Sequence, residues 1–287
     1  MEANDLPELE SSYAVSDAQR DEYRKNGHVR LNGLVGHEEV KAWREVVRDA
    51  VVRLTVEEGP FKEREKFYSQ AFLQQMNLWT RSDAAKRFTL AKRFAKVATN
   101  LMGVDGVRIY HDHAVFKIPG GRYTPWHQDA YYWPLNEACP MVTMWMPLVD
   151  LDSDMGGMVF ASESHRIGSL GEFPISDESE QVFKDYTDQN NLQTVEVGAM
   201  AAGDATFHDG WVLHSALGNR SDRMREVMTV IYMADGFRVS SAVNDYQLDD
   251  LSRWLPDAKP GDLAATRLNP LVYTELKRQS WKWARST

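Results

Sequence analysis

Val107-Arg-Ile-Tyr-His-Asp-His-Ala-Val-Phe-Lys-Ile118 is the first of a series of short β-rich runs whose spacing decides the fold. The others span Met141 to Leu151, Met158 to Phe160, Thr194 to Val197, Asp204 to His208 and Glu226 to Met233. Pro119-Gly120-Gly121, Asp154-Met155-Gly156-Gly157, Gly198 and Gly203-Asp204 punctuate them. Short strands without long helices between them predict a sandwich or barrel rather than a parallel α/β sheet.

Upstream of Gly103 the pattern is helical. Ser16 and Gln19 form a capping-box pair for a short helix that ends at Asn26-Gly27, and His28 to Leu31 reads as a brief strand. Val40, Trp43, Val47, Ala50 and Leu54 recur at helical spacing, which predicts a helix over Glu38 to Leu54, broken at Gly59-Pro60. A further helix is expected after Ser82, with Phe88, Ala91, Phe94, Ala98 and Leu101 on one face and Gly103 at its end. Residues 1–14 read as a frayed tail and 166–192 as a long polar loop. The chain from about Ala242 carries Pro256, Pro260 and Pro270, and a terminal helix is expected over Tyr273 to Ala284, packing through Trp281 and Trp283. The expected organisation is a single domain over 15–287. Its helical part covers 15–103, its β core about 104–240 and its C-terminal segment 241–287.

Composition narrows the function. Of 287 residues 43% are hydrophobic and 26% charged, an ordinary balance for a folded chain. The single cysteine, Cys139, excludes an internal disulfide and a zinc site built on several thiolates. A formal net charge of -9 argues against nucleic acid or an anionic membrane as the partner. No apolar run reaches the roughly 20 residues of a membrane span. Residues 1–12 are acidic and carry no apolar core of a signal peptide. A reducing, cytoplasmic setting is therefore expected. The sequence leaves the oligomeric state open.

His127-Gln128-Asp129 holds the sharpest chemical signal. In extended chain, residues two apart face the same side, so His127 and Asp129 would point together. His214 follows 85 residues after Asp129 in another β-rich region. Two histidines and one carboxylate can take one face of an octahedral Fe(II), leaving positions for a co-substrate and oxygen. The triplet alone is weak, since a strand histidine often just bonds a neighbouring carboxylate. Arg225 adds weight. It opens the strand Glu226 to Met233, and an arginine beside the strand of His214 could grip a carboxylate with its planar fork. Arg223, two residues earlier, could serve from the same face.

Several ordered stretches then resemble a known family. Thr124-Pro-Trp-His127-Gln128-Asp129-Ala-Tyr131-Tyr132-Trp133-Pro, Thr143-Met-Trp145-Met-Pro-Leu, Gly156-Gly157-Met-Val-Phe-Ala-Ser-Glu-Ser-His165 and Phe207-His208-Asp-Gly-Trp-Val-Leu-His214-Ser-Ala-Leu-Gly-Asn219 look like the phytanoyl-CoA dioxygenase (PhyH-like) family. Glu22-Tyr-Arg-Lys-Asn-Gly-His-Val-Arg-Leu31 also fits, so the resemblance runs from the Asn26-Gly27 region to about Met233. It implies a non-haem Fe(II)/2-oxoglutarate oxygenase on a double-stranded β-helix, a cupin-like jelly roll. His127, Asp129 and His214 would ligate iron. Arg225, eleven residues after His214, would anchor 2-oxoglutarate, with Arg223 the fallback. Trp145 matches a tryptophan that borders the co-substrate, Gln128 a glutamine near the same pocket, and His113 a strand position beside it. One departure is Ala216, where the family often has a serine able to touch the co-substrate.

The chemistry implied is oxidation of a small organic substrate, with O2 consumed and succinate and CO2 released. Hydroxylation is the default. Desaturation, epimerisation and ring formation share its start, and Asp129 fills the position a halide would need. Tyr131, Tyr132 and Trp133 follow the triplet and Trp211 precedes His214, aromatics that suit a flat or apolar substrate such as a secondary metabolite. Asn77, with Gln75 and Trp79, lies in an irregular segment expected to roof the pocket. No basic cluster suits a CoA phosphate, which disfavours phytanoyl-CoA-type acyl hydroxylation. A non-catalytic cupin-like metal-binding protein and a zinc hydrolase are the other readings, and neither needs Arg225 or Trp145. In His111-Asp112-His113, alternation points Asp112 away from both histidines. His208 reads as a supporting residue, His165 as a loop residue and Cys139 as buried.

Overall fold

The computed structural model describes residues 6–58 and 72–275. In chain order the elements are α1 (Asp17–Asn26), β1 (His28–Leu31), α2 (His37–Glu58), β2 (Phe72–Met76), α3 (Asp83–Thr89), α4 (Lys92–Met102), β3 (Gly106–Lys117), β4 (Thr124–His127), β5 (Met141–Pro147), β6 (Met158–Ala161), α5 (Asp177–Gln189), β7 (Thr194–Glu196), β8 (Ala205–Asp209), β9 (His214–Ala216), β10 (Val227–Ala234), α6 (Asp245–Trp254) and β11 (Leu271–Thr274). The Ser16–Gln19 capping box opens α1, and Gly27, at φ 79°, closes it in the left-handed region before β1. No helix among the described residues is long and apolar enough to cross a membrane.

The strands form two antiparallel sheets. The larger runs β1-β8-β5-β10-β3-β11, with β2 also on β3, and the smaller runs β4-β9-β6-β7. Strand alternation gives the large sheet two unlike faces. Val29, Phe207, Met144 and Val230 stand in register on the outer face, where they pack with Trp43 and Val47 of α2, Phe88 of α3 and Phe94 of α4. The residues between them, His28, His208, Thr143, Ile231 and His111, form a row on the inner face. That face meets the small sheet: His28 stacks on Phe160 of β6 with ring centroids 4.5 Å apart. The result is mainly antiparallel sheet with flanking helices, the jelly roll expected from the sequence.

Several segments depart from expectation. Residues 6–14 are no frayed tail. Leu6 and Leu9 are buried, and the Arg93 amide donates to the Leu9 carbonyl, so this stretch straps α4 to the core. The helix after Ser82 is broken at Leu90-Ala91. Phe88 and Phe94 would lie about 120° apart around one continuous helix; the break brings their rings edge to face at 5.1 Å. The polar 166–192 stretch contains α5, capped by Ser176 and held by the Trp126 amide donating to Glu180. Within it only Ser179, Phe183 and Thr187 are buried, so the apolar periodicity is faint. Leu271–Thr274 is strand, not helix, because it pairs with the free edge of β3. Gly59-Pro60 and the expected helix beyond residue 275 lie outside the described residues.

One buried acid ties the helical layer to the sheet. Asp112, fully buried on the outer face, accepts from the Leu78 amide at 2.7 Å, the Trp79 amide at 2.9 Å and the Thr89 hydroxyl at 2.9 Å. Burial pushes its carboxyl up to about 6, against the pull of these three donors. Asp112→Ala would strand all three in an apolar setting, at a cost of about 2–4 kcal/mol. A clear drop in the urea midpoint with an unchanged slope is the expected result; an unchanged midpoint would contradict the anchoring role.

Candidate metal centre

His127 ends β4 and faces His214, its direct partner across the β4–β9 ladder. Gln128 is extended, at φ -118° and ψ 125°, so Asp129 returns to the side of His127 before the chain tightens into a 3-10 turn over Asp129–Tyr132. Asp129 Oδ1 lies 3.5 Å from His127 Nε2 and 3.6 Å from His214 Nε2. Nδ1 of His127 donates to the Pro125 carbonyl at 2.7 Å, and Nδ1 of His214 to the Val212 carbonyl at 3.0 Å. Each bond settles the tautomer and leaves the Nε2 lone pair facing Asp129. Two imidazole nitrogens and one carboxylate oxygen, all within 4.8 Å of one another, can hold a divalent ion.

The other carboxylate oxygen is held by the large sheet. Asp129 Oδ2 accepts from the Thr143 hydroxyl at 2.9 Å, and His208 Nε2 lies 3.3 Å away. Burial alone would raise the Asp129 carboxyl, yet the His214, His127 and His208 rings keep it well below its ordinary value. Burial and the neighbouring His127 keep the His214 ring well below its own, and a neutral imidazole is the form that binds metal.

Two residues along the strands, Trp145 of β5, Thr229 of β10 and His113 of β3 make the next inner-face row. Arg225, just before β10, is 1% exposed, and its guanidinium lies 5.4 Å from the Trp145 ring. Its Nη1 donates to the Gly156 carbonyl, and its Nε is buried without a partner. No described carboxylate pairs with it, and burial brings it down to about 9. Arg223 instead lies half-exposed, engaged by Asp152 and Met155.

Orphaned polar atoms test whether a polar ligand fits here. Gln74 Nε2, Thr206 Oγ1, His208 Nδ1 and Arg225 Nε are all buried and unbonded, and all four belong to inner-face positions. Buried donors without partners are rare in native proteins, and a carboxylate would satisfy the Arg225 Nε.

Other sequence-derived candidates fall elsewhere. Lying between two inward residues, Gln128 points away: its Nε2 donates to the Gly168 and Trp211 carbonyls and its Oε1 accepts from Leu170. It clamps a loop and does not meet Arg225 or Trp145. Trp133 is core; a Cβ at Gly210 would sit 2.3 Å from its ring, so it packs over bare backbone. Asn77 adopts a left-handed φ of 49° and accepts the Trp79 indole N–H. His113 faces the interior with Nε2 3.2 Å from Gln74 Oε1. Tyr131 and Trp211 are half-buried, and Tyr131 clusters with Tyr132 and with Tyr246 of α6. Gln74 carried no signal in the sequence, and Thr143 entered only as the first residue of a stretch that resembles the family. Lys117 did: it continues the inward alternation of His111 and His113.

Solved structures of the same architecture give this geometry its context. The chain is 25% identical to the non-haem α-ketoglutarate-dependent carbocyclase SnoK of nogalamycin biosynthesis, with a TM-score of 0.74 over 90% of this chain and 97% of that one. The epimerase SnoN of the same biosynthesis, solved with Fe3+, α-ketoglutarate and nogalamycin RO, shares the fold at 24% identity and TM-score 0.72, over 90% of this chain and 98% of that one. EctD from S. alaskensis, solved with 2-oxoglutarate and 5-hydroxyectoine, shares it at 18% and 0.66, over 91% of this chain and 93% of that one. No curated protein matches the chain in sequence. The protein is a non-haem iron enzyme that uses 2-oxoglutarate and O2. It belongs to the phytanoyl-CoA dioxygenase (PhyH) family, whose sequence profile matches residues 23–227.

Alanine at His127, Asp129 or His214 should each abolish stoichiometric Fe(II) binding and turnover while near-UV circular dichroism stays native. Metal analysis after desalting reads this directly. Full iron content in all three variants would remove the triad from consideration.

Proposed function

We propose that the enzyme oxidises a C–H bond of a small, flat organic molecule, with hydroxylation as the default outcome. Fully buried Arg225 carries this reading: it has no acidic partner among the described residues, lies against Trp145, and stands on the face that carries Thr143 and His208 beside Asp129. Such a cation needs an anion, and the distal carboxylate of 2-oxoglutarate is the right length and charge.

In this reading His127, Asp129 and His214 hold the iron. Thr143 and His208 keep Asp129 Oδ2 occupied, so one carboxylate oxygen faces the metal. Arg225 fixes the far end of the co-substrate, and Trp145 walls it from water. When bound, iron with 2-oxoglutarate and O2 supplies the oxidant, and the co-substrate leaves as succinate and CO2. His113 borders the same space from β3.

The substrate end is aromatic. Tyr131, Tyr132 and Tyr246 form a half-exposed to exposed cluster just beyond Asp129, Trp211 is half-buried, and Trp254 lies 5.0 Å from the His111 ring. Aromatic walls favour stacked, flat substrates. Glu172 lies close to Tyr131, while on α6 Asp249 is paired with Arg253 and burial raises the Asp250 carboxyl to about 7. The described residues offer no basic cluster there for a CoA pyrophosphate. The likeness to a carbocyclase and an epimerase supports ring formation or epimerisation as the second outcome from the same start.

Arg225→Ala should raise the 2-oxoglutarate requirement roughly thirty-fold, since a charge-assisted bond contributes about 2–3 kcal/mol, and leave the substrate requirement near normal. Lysine should rescue only in part. Arg223→Ala should be mild. Mass spectrometry of products made in chloride buffer should show oxidised and never chlorinated material. Indifference to Arg225→Ala would sink the anchor, and a chlorinated product would remove Asp129 from the iron.

A further inference from the structure

Strand β3 changes face once. Val107 and Ile109 pack in the outer apolar layer, and so do Ala114 and Phe116, an exchange of parity that regular alternation cannot give. The change falls at Tyr110. Tyr232 of β10 pairs with Ile109 and Ile231 with His111, so Tyr110 is an extra residue without a partner on β10. This β-bulge turns Tyr110 and His111 to the inner face together, with ring centroids 5.3 Å apart. Bulges recur beside active sites, where they re-aim a side chain. His111 is the side chain re-aimed here, and nothing in the reading above gives it a task.

Helix α6 holds the bulge in place. Asp250 Oδ2 accepts from the Tyr110 hydroxyl at 2.8 Å and Oδ1 from the Trp254 indole N–H at 3.2 Å. Trp254 lies 5.0 Å from the His111 ring, so one carboxylate fixes both aromatic neighbours of the imidazole. Nδ1 of His111 donates to the Asp112 carbonyl at 3.2 Å, which leaves the Nε2 lone pair as an acceptor. Among the described residues no donor meets Nε2, and unlike His208 Nδ1 it is not sealed from solvent. Burial brings the ring down to about 4, so it is neutral. His111 shares its inner-face row with Thr143, which holds Asp129, and stands two strands away, roughly 10 Å. A neutral acceptor among aromatic rings suits a donor without charge, and a phenol places such a donor on the rim of a flat ring.

We infer that His111 orients the substrate: its Nε2 accepts a hydrogen bond from a neutral ring hydroxyl, with Trp254 beside it, so the substrate is a phenol or another hydroxylated flat ring. This rests on the proposed reading of the aromatic end as the substrate's. Two consequences follow. A methyl ether has no proton to give His111, so a hydroxylated ring is chosen over its ether. A tethered hydroxyl also holds the ring in one orientation, which sets the C–H bond that is presented.

Equilibrium dialysis of the Fe(II)- and 2-oxoglutarate-loaded protein under nitrogen, with 2-naphthol and 2-methoxynaphthalene as probes, compares the two affinities without turnover. Their ratio cancels the contact that the ring system makes in both. The wild type should favour the naphthol. His111→Phe should lower the naphthol-to-ether ratio roughly five- to tenfold, the contribution of one neutral hydrogen bond, and keep its affinity for 2-oxoglutarate. His111→Gln should recover part of the ratio, because its amide oxygen is again an acceptor. Should the phenylalanine variant lose its near-UV signature, His111→Leu takes its place. An unchanged ratio in the folded variant would overturn the inference. If Trp254→Ala then weakens both probes alike, the aromatic end remains the substrate's and His111 alone is misassigned. No binding of either probe to the wild type, up to the limit of solubility, would overturn the inference together with the flat-substrate reading.

Discussion

The register of β10 between its two neighbours is the constraint on which the rest depends. Seven consecutive residues of β10, Val227 to Met233, pair with β5, and seven, Met228 to Ala234, pair with β3. Because side chains alternate, a slip of one residue would exchange the faces. Thr229, Ile231 and Arg225 would turn toward the helices, and Met228, Val230 and Glu226 would take the inner face. The outer face forbids this. Met228 and Val230 are packed in the apolar layer beneath α2 and α4, and Glu226 is bound by Arg44. The hydrophobic layer thus holds the chemistry in register without touching it.

The inner face is poor at holding the protein together. It buries three histidines, His28, His111 and His208, an arginine and a lysine, and leaves several donors unbonded. Such groups lose hydration on folding and recover little of it here. The apolar layer between the large sheet and the helices compensates, and residues 6–14 extend it. Stability and catalysis therefore sit on opposite faces of one sheet, and the strands are their only common part.

The metal site was legible because its signal is local. A histidine and an aspartate two apart share a face in any extended chain, and the structure needed only to keep Gln128 extended. The same rule read once more would have turned Gln128 away from the pocket, as observed. Arg225 stood out through its distance from His214 in a resembling family; alternation alone could not separate it from Arg223. Trp133 misled because position next to a ligand says little once a 3-10 turn intervenes. Helix α5 was hidden by its polarity, and the 6–14 strap by its shortness, since two leucines in a polar run show no period. Thr143 and Gln74 gained their places from long-range pairing, which no spacing in one chain encodes.

Helix α6 has a different standing from every other helix beside the site. None of its residues is fully buried, and it is tied to the rest of the chain by Gln247 donating to the Tyr131 carbonyl, by the Tyr110 hydroxyl donating to Asp250, and by the partly buried Leu251 and Trp254. Exposed positions tolerate exchange at little cost in stability. Natural variation can thus rewrite Tyr246, Leu248 and their neighbours while the iron and co-substrate end stays intact. Such a helix is where descendants of one ancestral scaffold can diverge in what they accept, and its side chains are the natural starting point for redirecting this enzyme by selection.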